Sequence, residues 1–122
     1  MPDGATVTQS AFPTPRRFPR YTLKVPVRVI AQKSGHPVIV QGRGDELNEG
    51  GLAVFAGIEL KVDEEIAVEF TPPYKGQPIR VRCVVRDRQG YNYGVAFLVQ
   101  NDDDERRAHE IRFVLRGMGL PI

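Results

Sequence analysis

The chain has no tryptophan, a single cysteine, two histidines and two methionines. Each scarcity removes a class of function. Cys83 alone cannot form an internal disulfide, so no oxidative framework holds the fold, which fits a reducing compartment. His36 and His109 lie far apart, and with Cys83 they show neither metal-ligand spacing nor a nucleophile–base pairing. The expectation is a protein that is not an enzyme and carries no metal or cofactor. Without tryptophan, and with few other candidate platforms, the chain is poorly equipped to stack single-stranded bases. No apolar run approaches the ~20 residues a membrane span requires, and no secretory apolar core stands at the start. A cytoplasmic protein is expected. There is no internal repeat.

What is present is ordinary in amount and unusual in placement. The 122 residues suit one domain with a single core, and 41% apolar and 26% charged residues match average globular composition. The net charge of +2 conceals an asymmetry. Residues 1–44 carry seven basic groups and one acid, whereas residues 45–122 carry ten basic groups and fourteen acids. A general DNA or RNA binder is more often basic along one dominant face. Here the positive charge gathers near the start, where it favours a local anionic ligand.

Residues 1–14 lack periodicity and are rich in Thr, Pro, Gly and Ala, which predicts a flexible leader before a domain spanning 15–118. From Leu23 the pattern alternates. Leu23, Val25, Val27 and Val29 fall on one face and Lys24 and Arg28 on the other, with Pro26 on the polar side marking an edge or a bulge. Ser34-Gly35 with Pro37 turns the chain. Second and third strands follow at 38–44 and 52–56, and Ile66, Val68 and Phe70 mark a fourth. In the fifth, Ile79, Val81, Cys83 and Val85 alternate with Arg80, Arg82, Val84 and Arg86. In the sixth, Tyr93, Val95, Phe97 and Val99 point inward. Six short strands at this spacing predict a mainly β fold, a six-stranded antiparallel barrel.

The period then changes. Asp102 with Glu105 has the form of a capping box, and acids crowd the first turn, where the helix dipole favours them. Ala108, Ile111, Leu115 and Met118 form one apolar stripe, so a C-terminal helix over about 102–117 packs on the barrel. Gly117, Gly119 and Pro121 end it.

Two stretches carry chemistry. Arg16-Arg17-Phe18-Pro19-Arg20 is a cationic segment stiffened by prolines. At ~3.3 Å per residue, Arg16 and Arg20 stand ~13 Å apart, able to reach opposite sides of one ligand. Guanidinium forks match phosphate oxygens and the O6/N7 edge of guanine, and Arg17 adds a plane that can stack on a base. Arg-x-x-x-Arg also occurs at Arg82/Arg86 and Arg112/Arg116, but those fall on a strand and a helix. The second stretch, 46–51, combines the Glu46 carboxylate, the Asn48 amide and Gly50-Gly51, which allow positive φ or close ligand approach. If the turn shifts by one residue, Asp45 supplies the carboxylate instead. The Arg80, Arg82, Arg86, Arg88 row reads as a solvated strand face with cross-strand acids, and Tyr91 and Tyr93 as packing residues.

An Arg-x-x-x-Arg loop ahead of a first strand, then an acid/amide-x-x-x-x-Gly turn thirty residues later, within a six-stranded barrel, resembles the PilZ domain family. The likeness covers roughly residues 16–115. It implies a split β-barrel with a C-terminal helix and a receptor for the bacterial second messenger cyclic di-GMP. By that resemblance Arg16 and Arg20 hold phosphates and guanine faces, with Arg17 beside them as a further ligand-binding residue. Glu46 and Asn48 replace the family's Asp/Asn and Ser, and Gly51 matches its Gly. An ordering of the arginine arm on binding would then signal to a downstream protein partner. The rival expectation is a degenerate PilZ-like domain that binds protein and no nucleotide; a second is an oligonucleotide-binding barrel.

Overall fold

The computed structural model describes residues 19–122 except residue 75. The leader assigned to residues 1–14, and Arg16 and Arg17, lie outside the described residues. Six strands form the barrel: β1 (Tyr21–Lys33), β2 (His36–Asn48), β3 (Gly51–Ala56), β4 (Glu65–Phe70), β5 (Ile79–Gln89) and β6 (Asn92–Phe97). The helix α1 (Asp102–Met118) and a two-residue strand β7 (Leu120–Pro121) follow. All pairings are antiparallel, in the order β2-β3-β6-β5-β4-β1, and β1 also pairs with β2. That last pairing closes the sheet on itself, which removes exposed edges.

Alternation builds the core as expected. Leu23, Val25, Val27, Val29 and Ala31 of β1 are buried, as are Ile79, Val81, Cys83 and Val85 of β5 and Tyr93 and Val95 of β6. Ile111, Val114 and Leu115 of α1 join the same cluster. Pro26 faces Arg43 just after a register shift between Thr22 and Val25, and it precedes the β4 ladder, which spans only Arg28–Ile30. A residue lacking an N–H is tolerated there.

Several details differ from the sequence reading. Val99 lies past the end of β6 and is half exposed, because the chain leaves the sheet after Phe97. The helix cap is Asn101, one residue before the expected Asp102; its side chain accepts from the Asp104 N–H at 2.7 Å. Asp104 is buried, and accepts from the Gln100 N–H at 3.1 Å and from Arg82 at 2.9 Å. Val114 takes the buried place expected of Met118, which is exposed at the helix end. Gly117 continues the helix and Gly119 caps it, its N–H donating to the Leu115 carbonyl. The chain then pairs Leu120 and Pro121 with Thr22 and Tyr21, a contact with no sequence signal. Tyr93 is buried, donating to the Ile58 carbonyl at 2.7 Å, while Tyr91 is half exposed. No helix among the described residues is long and apolar enough to cross a membrane.

Candidate functional site

Arg20 lies immediately before β1. Its carbonyl accepts from the Ile122 N–H at 2.9 Å, so the β7 segment pins its backbone at the barrel mouth. Its side chain remains half exposed and meets the Glu46 carboxylate at 3.6 Å. An ion pair of that exposure is weakly held, leaving the guanidinium able to exchange its partner.

Glu46 and Asn48 were expected on a turn, but both lie on β2, which extends to Asn48. Only Glu49 and Gly50 form the turn, and Asn48 pairs with Gly51. The extension arises because Leu47 is fully buried opposite Leu52, anchoring the strand past the polar residues. Asp45 is the extra residue of a bulge between Gly44 and Glu46. Bulges re-aim the side chains beside them, and here the two Asp45 carboxylate oxygens accept from Arg43 Nε and Nη2. That hydrogen bond and the adjacent charge raise the Arg43 pKa above its ordinary value. Asp45 is therefore committed to Arg43, and Glu46 is the carboxylate that meets Arg20.

Asn48 Oδ1 accepts from the Gly50 N–H at 3.1 Å, closing the hairpin. Its amide N–H₂ is the half that remains for a ligand. Gly51 has a sharper requirement than the sequence suggested. Its φ is not positive. A Cβ there would fall 1.9 Å from the Val95 carbonyl oxygen and 2.9 Å from Ala96 Cα, so β3 and β6 approach too closely for any side chain. Gly51 is thus needed by the sheet itself.

Next to Asn48 the outer surface sinks into a hollow of about 190 Å³, bordered by Asn48, Gly50, Arg86, Asp87, Gly94 and Ala96. Sequence reasoning missed Asp87 and Gly94. Strict alternation after Val85 would aim Asp87 inward, but a register shift between Val85 and Asp87 turns it outward opposite Gly94. The available signal was the acid itself: a carboxylate at an inward position of an apolar strand argues for a bulge.

The arginines of the β5 row are engaged. Glu69, nearly buried, receives Arg80 at 3.1 Å and Arg28 at 3.5 Å from the strands on either side. Arg82 bonds Glu65, Asp104 and Gln100, and Arg86 and Arg88 meet Asp63 and Glu59. Cross-strand acids hold Arg80 and Arg82, as the pattern indicated, whereas Arg86 and Arg88 meet acids of the loop before β4. The structure thus brings Arg20, Glu46, Asn48 and Gly51 to one end of β1, β2 and β3.

The structure is thus a closed six-stranded barrel with a C-terminal helix packed on its core, and with a basic residue and a polar hairpin at one end. The PilZ domain family model matches residues 14–116, and the chain belongs to that family. Its fold is similar to the PilZ domain of CeSA from a cellulose-synthesizing bacterium, with a TM-score of 0.65 and 20% identity over 80% of this chain and 97% of that one. It is also similar to the PilZ domain of YcgR from Escherichia coli, whose structure was determined with c-di-GMP, at TM-score 0.60 and 18% identity over 85% and 93% of the two chains. No curated protein sequence matches the chain.

Proposed function

We infer that this chain is a cyclic di-GMP receptor domain, spanning residues 15–118 after a leader at 1–14, and not an enzyme. The observation that carries the reading is Arg20 held weakly against Glu46 at the mouth of a PilZ barrel, beside the Asn48 amide. A solved relative of the same fold holds c-di-GMP, which supports the ligand class.

Arg20, with Arg16 and Arg17 ahead of it, would meet the ligand's phosphates bidentately, exchanging the Glu46 carboxylate for a doubly hydrogen-bonded anion. Drawing the arginine segment against the barrel costs conformational entropy that these bonds must exceed. Because Ile122 and β7 tie the Arg20 backbone to the end of α1, a movement at Arg20 reaches the helix surface. A downstream protein would read that surface, and ligand occupancy would become an interaction signal.

Calorimetric titration with cyclic di-GMP tests this. Saturable binding is expected, with Arg20→Ala losing most of the affinity and keeping the melting temperature of the unliganded protein. Absence of heat and saturation at high micromolar ligand overturns it. One observation favours a second reading, a protein-binding domain without nucleotide: Asn48 spends its acceptor inside the hairpin. A ligand-induced rise in melting temperature separates the two, since only a bound ligand stabilises the native state.

A further inference from the structure

We propose that Asp87 is the residue that selects guanine at this site, by accepting from the N1–H and N2–H₂ edge of a base seated in the hollow beside Asn48. The inference rests on the cyclic di-GMP reading and adds a residue that the arginine and hairpin motifs do not contain.

Three observations converge. First, two acceptors nearest the motif are spent, Asn48 Oδ1 on the Gly50 N–H and Asp45 on Arg43, and Glu46 is not among the residues that border the hollow. A guanine edge with two adjacent donors needs a carboxylate that is not already occupied. Second, Asp87 lies in the same hollow as Asn48, exposed to solvent, with no hydrogen bond or ion pair among the described residues. Third, its position is built. The bulge between Val85 and Asp87 turns it outward, and a Cβ on Gly94 would fall 2.6 Å and 2.7 Å from its two carboxylate oxygens. Glycine at 94 is what lets the carboxylate lie flat against the sheet.

The hollow of about 190 Å³ is below the ~300 Å³ at which sites for whole drug-sized ligands begin. It suits one base and not a whole dinucleotide. There the Asn48 amide donates to a base acceptor or a phosphate while Asp87 accepts from the opposite edge. Adenine presents an unprotonated N1 where guanine presents N1–H, so Asp87 would oppose it lone pair to lone pair. Discrimination between purines follows from that one contact.

The test is calorimetry on the full chain with cyclic di-GMP and with cyclic di-AMP, for the wild type, Asp87→Ala and Gly94→Ala. Asp87→Ala is expected to weaken cyclic di-GMP at least tenfold, to leave or improve the weak binding of cyclic di-AMP, and to keep the unliganded melting temperature. Gly94→Ala, whose Cβ meets only a movable side chain, should fold normally and also bind cyclic di-GMP more weakly. Wild-type binding with Asp87→Ala within twofold of it overturns the role of Asp87 and leaves the receptor reading intact. A fall in both affinities together with a lower melting temperature assigns Asp87 to the fold and likewise overturns the proposal. No binding of cyclic di-GMP by the wild type removes the receptor reading and this inference with it.

Discussion

Arginines occupy two faces of this barrel under opposite rules. On the β4–β5 face each has an acid, from a neighbouring strand, from α1 or from the loop before β4. Glu69 stands between Arg28 and Arg80 in adjacent strands, and Arg82 reaches the buried Asp104 and thereby ties β5 to the start of α1. At the β1–β2 mouth, Arg20 has one loose contact to Glu46, and the strands beside it carry two bulges. The first face uses guanidinium groups to join strands and helix, and its charges are consumed. The second leaves a cation and a polar rim exchangeable, which is what ligand capture needs. Counting arginines does not separate these roles; the register of neighbouring strands does.

Five measurements would break or sharpen that contrast. The largest effect belongs to the backbone under the mouth. Gly51→Ala places a methyl against the Val95 carbonyl, and a destabilisation of about 3 kcal/mol or more is expected in urea denaturation. A mild effect would mean that β3 and β6 can separate, and that the mouth is softer than its sheet. Next, Asp104→Ala removes the acceptor of Arg82 and of the Gln100 N–H, and should cost about 1–2 kcal/mol by the same method. Against this, Arg20→Ala should stay within about 0.5 kcal/mol. Equal losses would erase the distinction between the faces.

A smaller effect concerns Cys83 on β5. Burial pushes its thiol up to about 12, so it stays protonated at neutral pH and out of reach of thiol reagents. Labelling by a disulfide reagent should occur only through unfolding, with a rate that falls as stability rises. Fast labelling of the native protein would show the β4–β5 face opening.

The smallest is a pH effect at Glu64. Burial pushes this carboxyl up, but the Lys61 N–H and the Lys33 ammonium outweigh it and hold it below its ordinary value of 4.5. The carboxylate form is thus favoured in the native state. Its contribution is fully present above that value and is lost as pH falls through the lower native value. Glu64→Gln should therefore flatten the acid limb of a melting-temperature profile slightly and leave neutral pH little changed. An unchanged acid limb would mean that Lys33 does not hold Glu64 in solution.

Much of the barrel was legible because its strands are half buried. A strand with one wet face writes its geometry as a period of two, so Leu23 to Val29 and Ile79 to Val85 announced their inward faces directly. The helix announced itself by a change of period. What the period could not reveal was where it breaks. The bulges at Asp45 and between Val85 and Asp87 depend on partner strands distant in sequence, so Glu46 and Asn48 moved from a turn onto β2, and Asp87 went unnoticed. The cap moved to Asn101 because Asp104 was drawn inward by Arg82, a partner 22 residues away. Val114 replaced Met118 because the barrel mouth, and not the helix alone, decides which turn is covered.

By itself the sequence determined the strand faces, the one helix and the concentration of positive charge ahead of β1, because these follow from local periodicity and composition. The tertiary structure alone decided which acids each arginine meets, why Gly51 admits no side chain, and how Asp87 comes to share a hollow with Asn48. Those depend on strand register and barrel closure, and a one-residue shift in pairing turns a side chain from the core to the outer face.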